Sequence, residues 1–320
     1  MAEAQLGPLG TGAATNPPVP QVIDEKPEGR STAAGVRKGI WIVVLTGLSV
    51  LFLYPFVWLF SASFKPRQDV FDNRLIPKRL AWNFDDVANA APVLRWLVNS
   101  LWISGLGALC VTFSSALVAF AFAYFRFPGR NVLFAILLAT LMLPPQVTLI
   151  PTYLIWNEVG KFTIAHPFLP HVGTNTQYPL WVPNLFGSAF YIFLQRQFFL
   201  GIPRELFEAA RIDGDNYWSM FRRIAIPLAK PALIVTFIFE VQAKWFDLMT
   251  PLIYLRDSAL FTLPVGIKTI LDRFGQGGGG EGDWQIIVAA TLILTLPMII
   301  IFALFQKYFI EGIATQGRKG

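Results

Sequence analysis

Residues 208–233, EAARIDGDNYWSMFRRIAIPLAKPAL, concentrate Glu208, Arg211, Asp213, Asp215, Arg222 and Arg223 within a few turns of a chain that is otherwise mostly apolar. Acids and bases interleaved at this density pair with charges elsewhere, and three settings suit them equally: an interfacial helix on lipid headgroups, a hydrated loop, or a segment docked in a partner. A second group, Glu240, Lys244 and Asp247, recurs at i, i+4 and i+7 of an apolar run, the spacing of one helical face. Ionisable residues at such a depth mark a functional position or pair with each other to fix packing, and the two readings are evenly matched. His166 and His171 could ligate a metal, but no Cys or carboxylate lies close by in sequence, so no metal site is expected. The glycine run in FGQGGGGEGD has the density of a flexible connector, and the phosphate-cradling pattern G-x-x-x-x-G-K-[ST] occurs nowhere in the chain. If ATP drives this protein, another subunit binds it. G-x-S-x-G and H-E-x-x-H are also missing, which makes an enzyme the least favoured class.

The elements that position these groups lie in a membrane. Of the 320 residues, 54% are hydrophobic and 14% charged, against about a quarter charged in an ordinary soluble domain. The net charge of +6 reads as Lys and Arg held in cytoplasmic loops, not as a nucleic-acid footprint. The single cysteine, Cys110, excludes an internal disulfide and reads as a small buried hydrophobe. A spanning helix needs about 20 predominantly apolar residues, and six segments supply them: 40–64, 97–125, 132–156, 180–200, 232–255 and 286–309. Pro144, Pro145 and Pro151 are expected to kink the third. Residues 1–37 lack the short apolar core of a signal peptide and read as a disordered cytoplasmic tail, 38–310 as the transmembrane domain, and 311–320 as a second cytoplasmic tail. An even number of spans puts both termini on one side. A moderate excess of Lys and Arg in the tails and in the second and fourth loops places that side in the cytoplasm, with the short loop RFPGRN the clearest signal. The charged stretch then occupies a cytoplasmic loop over 201–229.

That loop divides into two short helices. Pro203 suits a first helical position, and Pro203, Leu206, Phe207 and Ala210 form an apolar stripe, while Arg204, Glu208, Arg211 and Asp215 line another face. Gly214 ends the first helix, Asp215 or Asn216 caps a second, and that second helix, YWSMFRRIAI, is expected to stop before Pro227.

Here the sequence resembles a known family. The permease subunits of bacterial ATP-binding-cassette importers carry a cytoplasmic pattern of EAA, three residues, G, nine residues and I-x-L-P; this chain has Glu208-Ala209-Ala210, Gly214 and Ile224-Ala225-Ile226-Pro227, with Ile226 in the Leu position. YPFVWLFSASFKP, WLVNSLWIS, LMLPPQVTLIPTYLI, FTLPVGI and QKYFIEGIATQGRKG are similar to the carbohydrate branch and its maltose-type second permease. The tail before Lys38 and the long third loop are outside the resemblance.

The resemblance implies an all-α integral membrane fold of six helices with a coupling helix pair, in a bacterial inner membrane. It implies a second homologous permease, two ATPase subunits that bind ATP and Mg, and an extracytoplasmic sugar-binding protein, with no cofactor on this chain. Glu208, Ala209, Ala210, Gly214, Ile224 and Pro227 would seat in an ATPase cleft, Glu208 meeting a basic residue while the small residues allow close approach, and the C-terminal IEGIATQGRKG would reach the same interface. For a sugar route, Trp245 offers a ring for an apolar C–H face, and Asn99, Gln146 and Gln242 offer hydrogen bonds beside Glu240, Lys244 and Asp247. In FTLPVGI, Phe261, Thr262, Leu263 and Pro264 would meet the docked binding protein. Two other readings stand: a permease for peptides, amino acids or polyamines, and a secondary transporter driven by an ion gradient. The latter usually shows internal repeats, and no repeat of three spans is evident.

Overall fold

The computed structural model describes residues 32–166, 168–275 and 282–316, with side chains described over 35–306 apart from Pro167 and 276–281. The backbone divides into two units, residues 1–55 and 56–320. The described part of the first unit belongs to one helix, α1 (Thr32–Ser63), which contains Pro55 and exposes apolar side chains from Ile40 to Tyr54. Residues 32–37, expected in a disordered tail, are helical; the rest of that tail lies outside the described residues.

In the second unit the first loop is stitched to the end of α1. The buried Lys65 donates from Nζ to the Asp72 carbonyl at 2.7 Å, and the buried Asn83 donates to the carbonyls of Ser63 and Lys65. A short helix, α2 (Phe84–Ala90), leads into α3 (Val93–Tyr124), which buries Ser100, Ser104, Gly107, Ala108, Ser115, Ala116, Ala119 and Ala123. A face of small residues lets neighbouring backbones approach closely, the usual solution where lipid offers no hydrophobic drive between helices.

The third expected span is broken. Helix α4 (Arg130–Thr140) and helix α5 (Pro145–Ala165) meet at 95°. Helix α4 stops at Thr140, Pro144 precedes α5 as its N-cap and Pro145 opens it, whereas Pro151 sits inside α5 without ending it. The fourth is also irregular: α6 (Tyr178–Trp181), a 3-10 turn (Val182–Phe186) and α7 (Ala189–Leu200), with Gly187 at φ +80° between the last two. Pro179 and Pro183 remove backbone donors there, which prevents one regular helix from forming over 180–200.

Helices α8 (Arg204–Ile212), α9 (Tyr217–Met220) and α10 (Ile226–Leu228) follow, with a π-helical turn (Phe221–Ala225) joining the last two. Next come α11 (Lys230–Trp245), α12 (Met249–Tyr254), α13 (Leu263–Phe274) and α14 (Trp284–Gln316). The fifth expected span, 232–255, thus breaks after Trp245, and α14 carries helix on to Gln316, into the residues expected as a tail. The glycine run of the fifth loop and residues 317–320 lie outside the described residues. By length and composition three helices can cross a membrane, or up to six if each bent pair makes one span.

The largest core packs Trp96 of α3, Trp245 of α11, Leu263 and Ile270 of α13, and Ile286 and Ala290 of α14. Its tightest point is Gly266, where an added Cβ would lie 1.9 Å from the Trp96 ring.

Candidate functional site

The 201–229 loop is seated on the end of α3 by aromatic rings. Phe207 is buried, with its ring 6.0 Å from Phe120 and 5.0 Å from Tyr124; Phe221 lies 5.3 Å from Phe120, and Tyr217 lies 5.0 Å from Phe125. Gly214 takes φ +85°, its N–H donates to the Arg211 carbonyl, and Asp215 N–H donates to the Ala210 carbonyl at 2.9 Å. This paired closure satisfies the last carbonyls of α8 and requires a residue that tolerates positive φ. Asn216 then caps α9 by accepting from Ser219 N–H at 2.8 Å, and Asp215 accepts from the Ser219 hydroxyl and lies 3.7 Å from Arg223. Asp215 therefore belongs to the turn and not to the charged stripe of α8.

What the loop presents outward is Glu208, Ala209 and Arg211, together with Leu206 and with Ile212, which is 87% exposed; Ala210 is partly covered. Pro203 precedes α8 instead of opening it. The second helix does not stop before Pro227: the π-turn absorbs it, and α10 continues to Leu228. A proline ring normally clashes with the carbonyl four residues back, and the wider π-turn moves that carbonyl aside. Ile224 packs partly against the aromatic seat, while Pro227 is exposed. Ile212 and the aromatic seat were not singled out by the sequence reading; the recurring Phe120, Tyr124, Phe125 spacing at the end of an apolar run was the available signal.

The buried ionisable residues form a second site. Lys244 lies 4.0 Å from Glu240, with side chains 20% and 12% exposed, and donates to the Leu180 carbonyl at 2.9 Å. Asn184, from the irregular fourth segment, donates to Glu240 and to the Gly107 carbonyl. Tyr191 also faces Glu240. Gly107 lacks a Cβ where one would approach Asn184 to 3.5 Å and Lys244 to 3.8 Å. Beside them the fully buried Gln195 donates to Thr236 Oγ1 and the Thr112 carbonyl. Asn184 was missed by sequence reasoning, although an isolated amide between Pro183 and Leu185 in an apolar segment was legible.

The other pathway candidates do not join this cluster. Because α11 ends at Trp245, Asp247 leaves the face of Glu240 and Lys244 and instead accepts from Thr250 N–H, in the first turn of α12, at 3.0 Å. Trp245 is fully buried in the main core and donates to the Leu294 carbonyl at 3.0 Å, so its ring offers no platform for a sugar. Asn99 donates to the carbonyls of Ala259 and Phe261. Gln242 and Gln146 are exposed.

The start of the FTLPVGI segment and the turn that precedes it are held down. Trp96 Nε1 donates to the Ser258 carbonyl at 2.8 Å, Leu263 N–H donates to Ser100 Oγ at 2.7 Å, and Gln177 donates to the Leu260 carbonyl. Thr262 and Leu263 are buried and present no side-chain surface to a partner; Phe261 and Pro264 are partly exposed. Asn175, at φ 59°, accepts from the N–H groups of Arg256 and Asp257 and ties the third loop to the fifth. His171 is exposed and His166 partly buried, and among the described residues no three His, Cys, Asp or Glu side chains converge as a metal site.

Residues 89–315 match the family described as "Binding-protein-dependent transport system inner membrane component". The chain is 31% identical over 279 residues to the arabinooligosaccharides transport system permease protein AraQ of Bacillus subtilis, covering 85% of this chain and 92% of that one. It is 30% identical over 260 residues to the maltose/maltodextrin transport system permease protein MalG of Escherichia coli K12, covering 77% and 84%. Among solved structures, one chain of a bacterial transporter involved in import of the acidic polysaccharide alginate superposes with a TM-score of 0.73 at 22% identity, over 87% of this chain and 98% of that chain.

Proposed function

We propose, on the premise that the chain belongs to the family of binding-protein-dependent transport system inner membrane components, that it is a permease subunit of an ATP-driven importer for a carbohydrate. It is the permease component and not the ATPase, it carries no cofactor of its own, and ATP is bound by partner subunits. It is a multi-pass inner-membrane protein. The carbohydrate reading is supported by the names of the relatives, which transport arabinooligosaccharides and maltodextrins.

The observation that carries the coupling assignment is the α8–Gly214–α9 unit, an aromatic-anchored pair of helices that turns Glu208 and Ala209 outward. Transmission of motion needs a joint seated firmly on the membrane helices and shape-matched on its outer side. In this reading Glu208, Ala209, Ala210 and Gly214 meet an ATPase subunit, with Leu206 and Ile212 adding apolar contact; Ile224 and Pro227 shape the return into α11. Both termini and this loop face the cytoplasm, and a second homologous permease, two ATPases and an extracytoplasmic binding protein complete the importer. Gln242 and Gln146 are open to a passing sugar, Glu240 and Lys244 organise the wall behind it, and Phe261 and Pro264 are the exposed part of the segment offered to the binding protein.

The test is reconstitution of the chain with its co-encoded permease, ATPase and binding protein in liposomes. Uptake of a labelled oligosaccharide that the binding protein retains, dependent on internal-side ATP, is expected. Uptake without the ATPase, or a binding protein that retains only peptides or amino acids, overturns the reading.

A further inference from the structure

Three arginines gather at the end of the bundle that carries the 201–229 loop. Helix α3 ends at Tyr124 and α4 begins at Arg130, and the connection between them opens a cavity lined by Arg126, Phe127, Gly129, Arg130, Asn131 and Val132. Arg196 comes from α7, one turn before that helix ends at Leu200. Its guanidinium lies 4.2 Å from the centre of the Phe134 ring and donates from Nε to the Phe122 carbonyl. Arg130 donates from Nη1 to the Phe125 carbonyl at 3.2 Å. The Phe122 and Phe125 carbonyls, at and just past the end of α3, thus hold two guanidinium groups at one helix end.

Each guanidinium has five N–H donors, and these contacts use few of them. Among the described residues, Arg126, Arg130 and Arg196 form no ion pair with any carboxylate. Beyond the cluster, α4 exposes Val132, Leu133 and Ile136 on one face. We infer that Arg126, Arg130 and Arg196 bind the phosphate of an anionic phospholipid headgroup in the leaflet on the side of the 201–229 loop.

The non-bridging oxygens of a phosphodiester match the guanidinium fork, and the aliphatic face of α4 gives acyl chains a track that a soluble phosphate does not need. The neighbouring groove, lined by Tyr124, Arg126, Arg204, Glu208, Arg211 and Tyr217, contains a carboxylate and belongs to the coupling surface. Arg126 is common to both, which puts a bound headgroup directly beside the coupling helix. Headgroup binding at these arginines does not depend on which sugar the importer carries.

The experiment uses the full-length chain purified with its co-expressed partner subunits, exchanged into neutral phosphatidylcholine nanodiscs doped with phosphatidylglycerol. Retained lipids are counted by native mass spectrometry, and thermal stabilisation is followed against phosphatidylglycerol content. Removing two basic side chains near a membrane surface, by Arg130→Gln with Arg196→Gln, should raise the half-saturating phosphatidylglycerol fraction about tenfold or more and abolish one retained lipid. The same charge loss on the coupling loop, Arg222→Gln with Arg223→Gln, should leave that lipid in place. Equal retention by wild type and the Arg130/Arg196 pair overturns the site, as does equal loss in both pairs. Stabilisation of the detergent-solubilised complex by inorganic phosphate alone, to the extent seen with phosphatidylglycerol, overturns the lipid assignment. Should the glutamine pair not assemble, a photoactivatable phosphatidylglycerol on the wild-type complex decides: crosslinks within 126–136 are expected, and crosslinks confined elsewhere overturn the site.

Discussion

At the scale of single residues, the buried pair Glu240 and Lys244 shows how position decides chemistry. Each charge is compensated inside the protein: Glu240 by Asn184 and Lys244, and Lys244 by Glu240 and the Leu180 carbonyl. Removing one partner of such a pair leaves an uncompensated buried charge and typically costs 3–5 kcal/mol, whereas replacing both with apolar groups of similar volume is often neutral. Lys244→Met alone is therefore expected to lower the melting temperature and yield of the purified protein, and Glu240→Leu with Lys244→Met to restore both. If the double variant is stable and still transports, the pair fixes packing; if it is stable but uptake is lost with ATPase activity retained, the pair contacts the substrate. Gly266 offers a second test. With an added Cβ only 1.9 Å from Trp96, Gly266→Ala forces apart the tightest contact of the core, and overpacking of this kind costs roughly 1–3 kcal/mol or more. Thermal unfolding in detergent should show it, and Gly266→Ala with Trp96→Phe should recover part of the loss. An unchanged melting temperature would contradict the packing.

At the scale of elements, the two-helix loop is defined by its turn and its seat. Gly214 needs φ +85° but has no neighbour within 4 Å of an added Cβ, so a substitution there disturbs the turn and not the core. A β-branched residue at positive φ is strained by roughly 1–3 kcal/mol. Gly214→Val is expected to leave the subunit in the membrane and in its complex while lowering transport and substrate-stimulated ATP hydrolysis about tenfold or more, since strain of that size shifts an equilibrium by such a factor. Unchanged coupled transport sinks the coupling assignment. Phe207→Ala acts on the seat. Truncating a buried Phe costs about 3–5 kcal/mol, and its ring contacts to Phe120 and Tyr124 are the link between α8 and α3. The expected signature is increased protease cleavage within 201–216 and ATP hydrolysis no longer stimulated by the binding protein.

At the scale of the whole molecule, the described side chains leave long apolar faces open on α3, α4 and α5, including Leu109, Phe113, Ile136, Val147, Ile150 and Leu154. In a permease these faces meet lipid or a second subunit. A complex purified through a tag on this chain is expected to contain the second permease and the ATPase in a fixed ratio, and Glu208→Arg to lose the ATPase while keeping the permease. Retention of both subunits by Glu208→Arg would remove Glu208 from the interface.

The sequence by itself determined a polytopic helical membrane protein, the Gly214 turn, the absence of the nucleotide loop, and the family. All of these rest on composition, helical spacing or short-range motifs, which are local properties. What it did not determine was where the helices break and which side chains meet. Pro144 and Pro145 marked a kink in the third span but not its size, a 95° break between two separate helices, because hydropathy measures partition into lipid and not direction. Glu240, Lys244 and Asp247 share a spacing but not a face, since α11 stops at Trp245. Asn184 reaches Glu240 across 56 residues, and Asn99 reaches Phe261 across 162. Contacts at that separation follow from how helices pack against one another, so only the tertiary structure turned a row of polar residues in an apolar chain into one buried cluster, one capped turn and one locked loop.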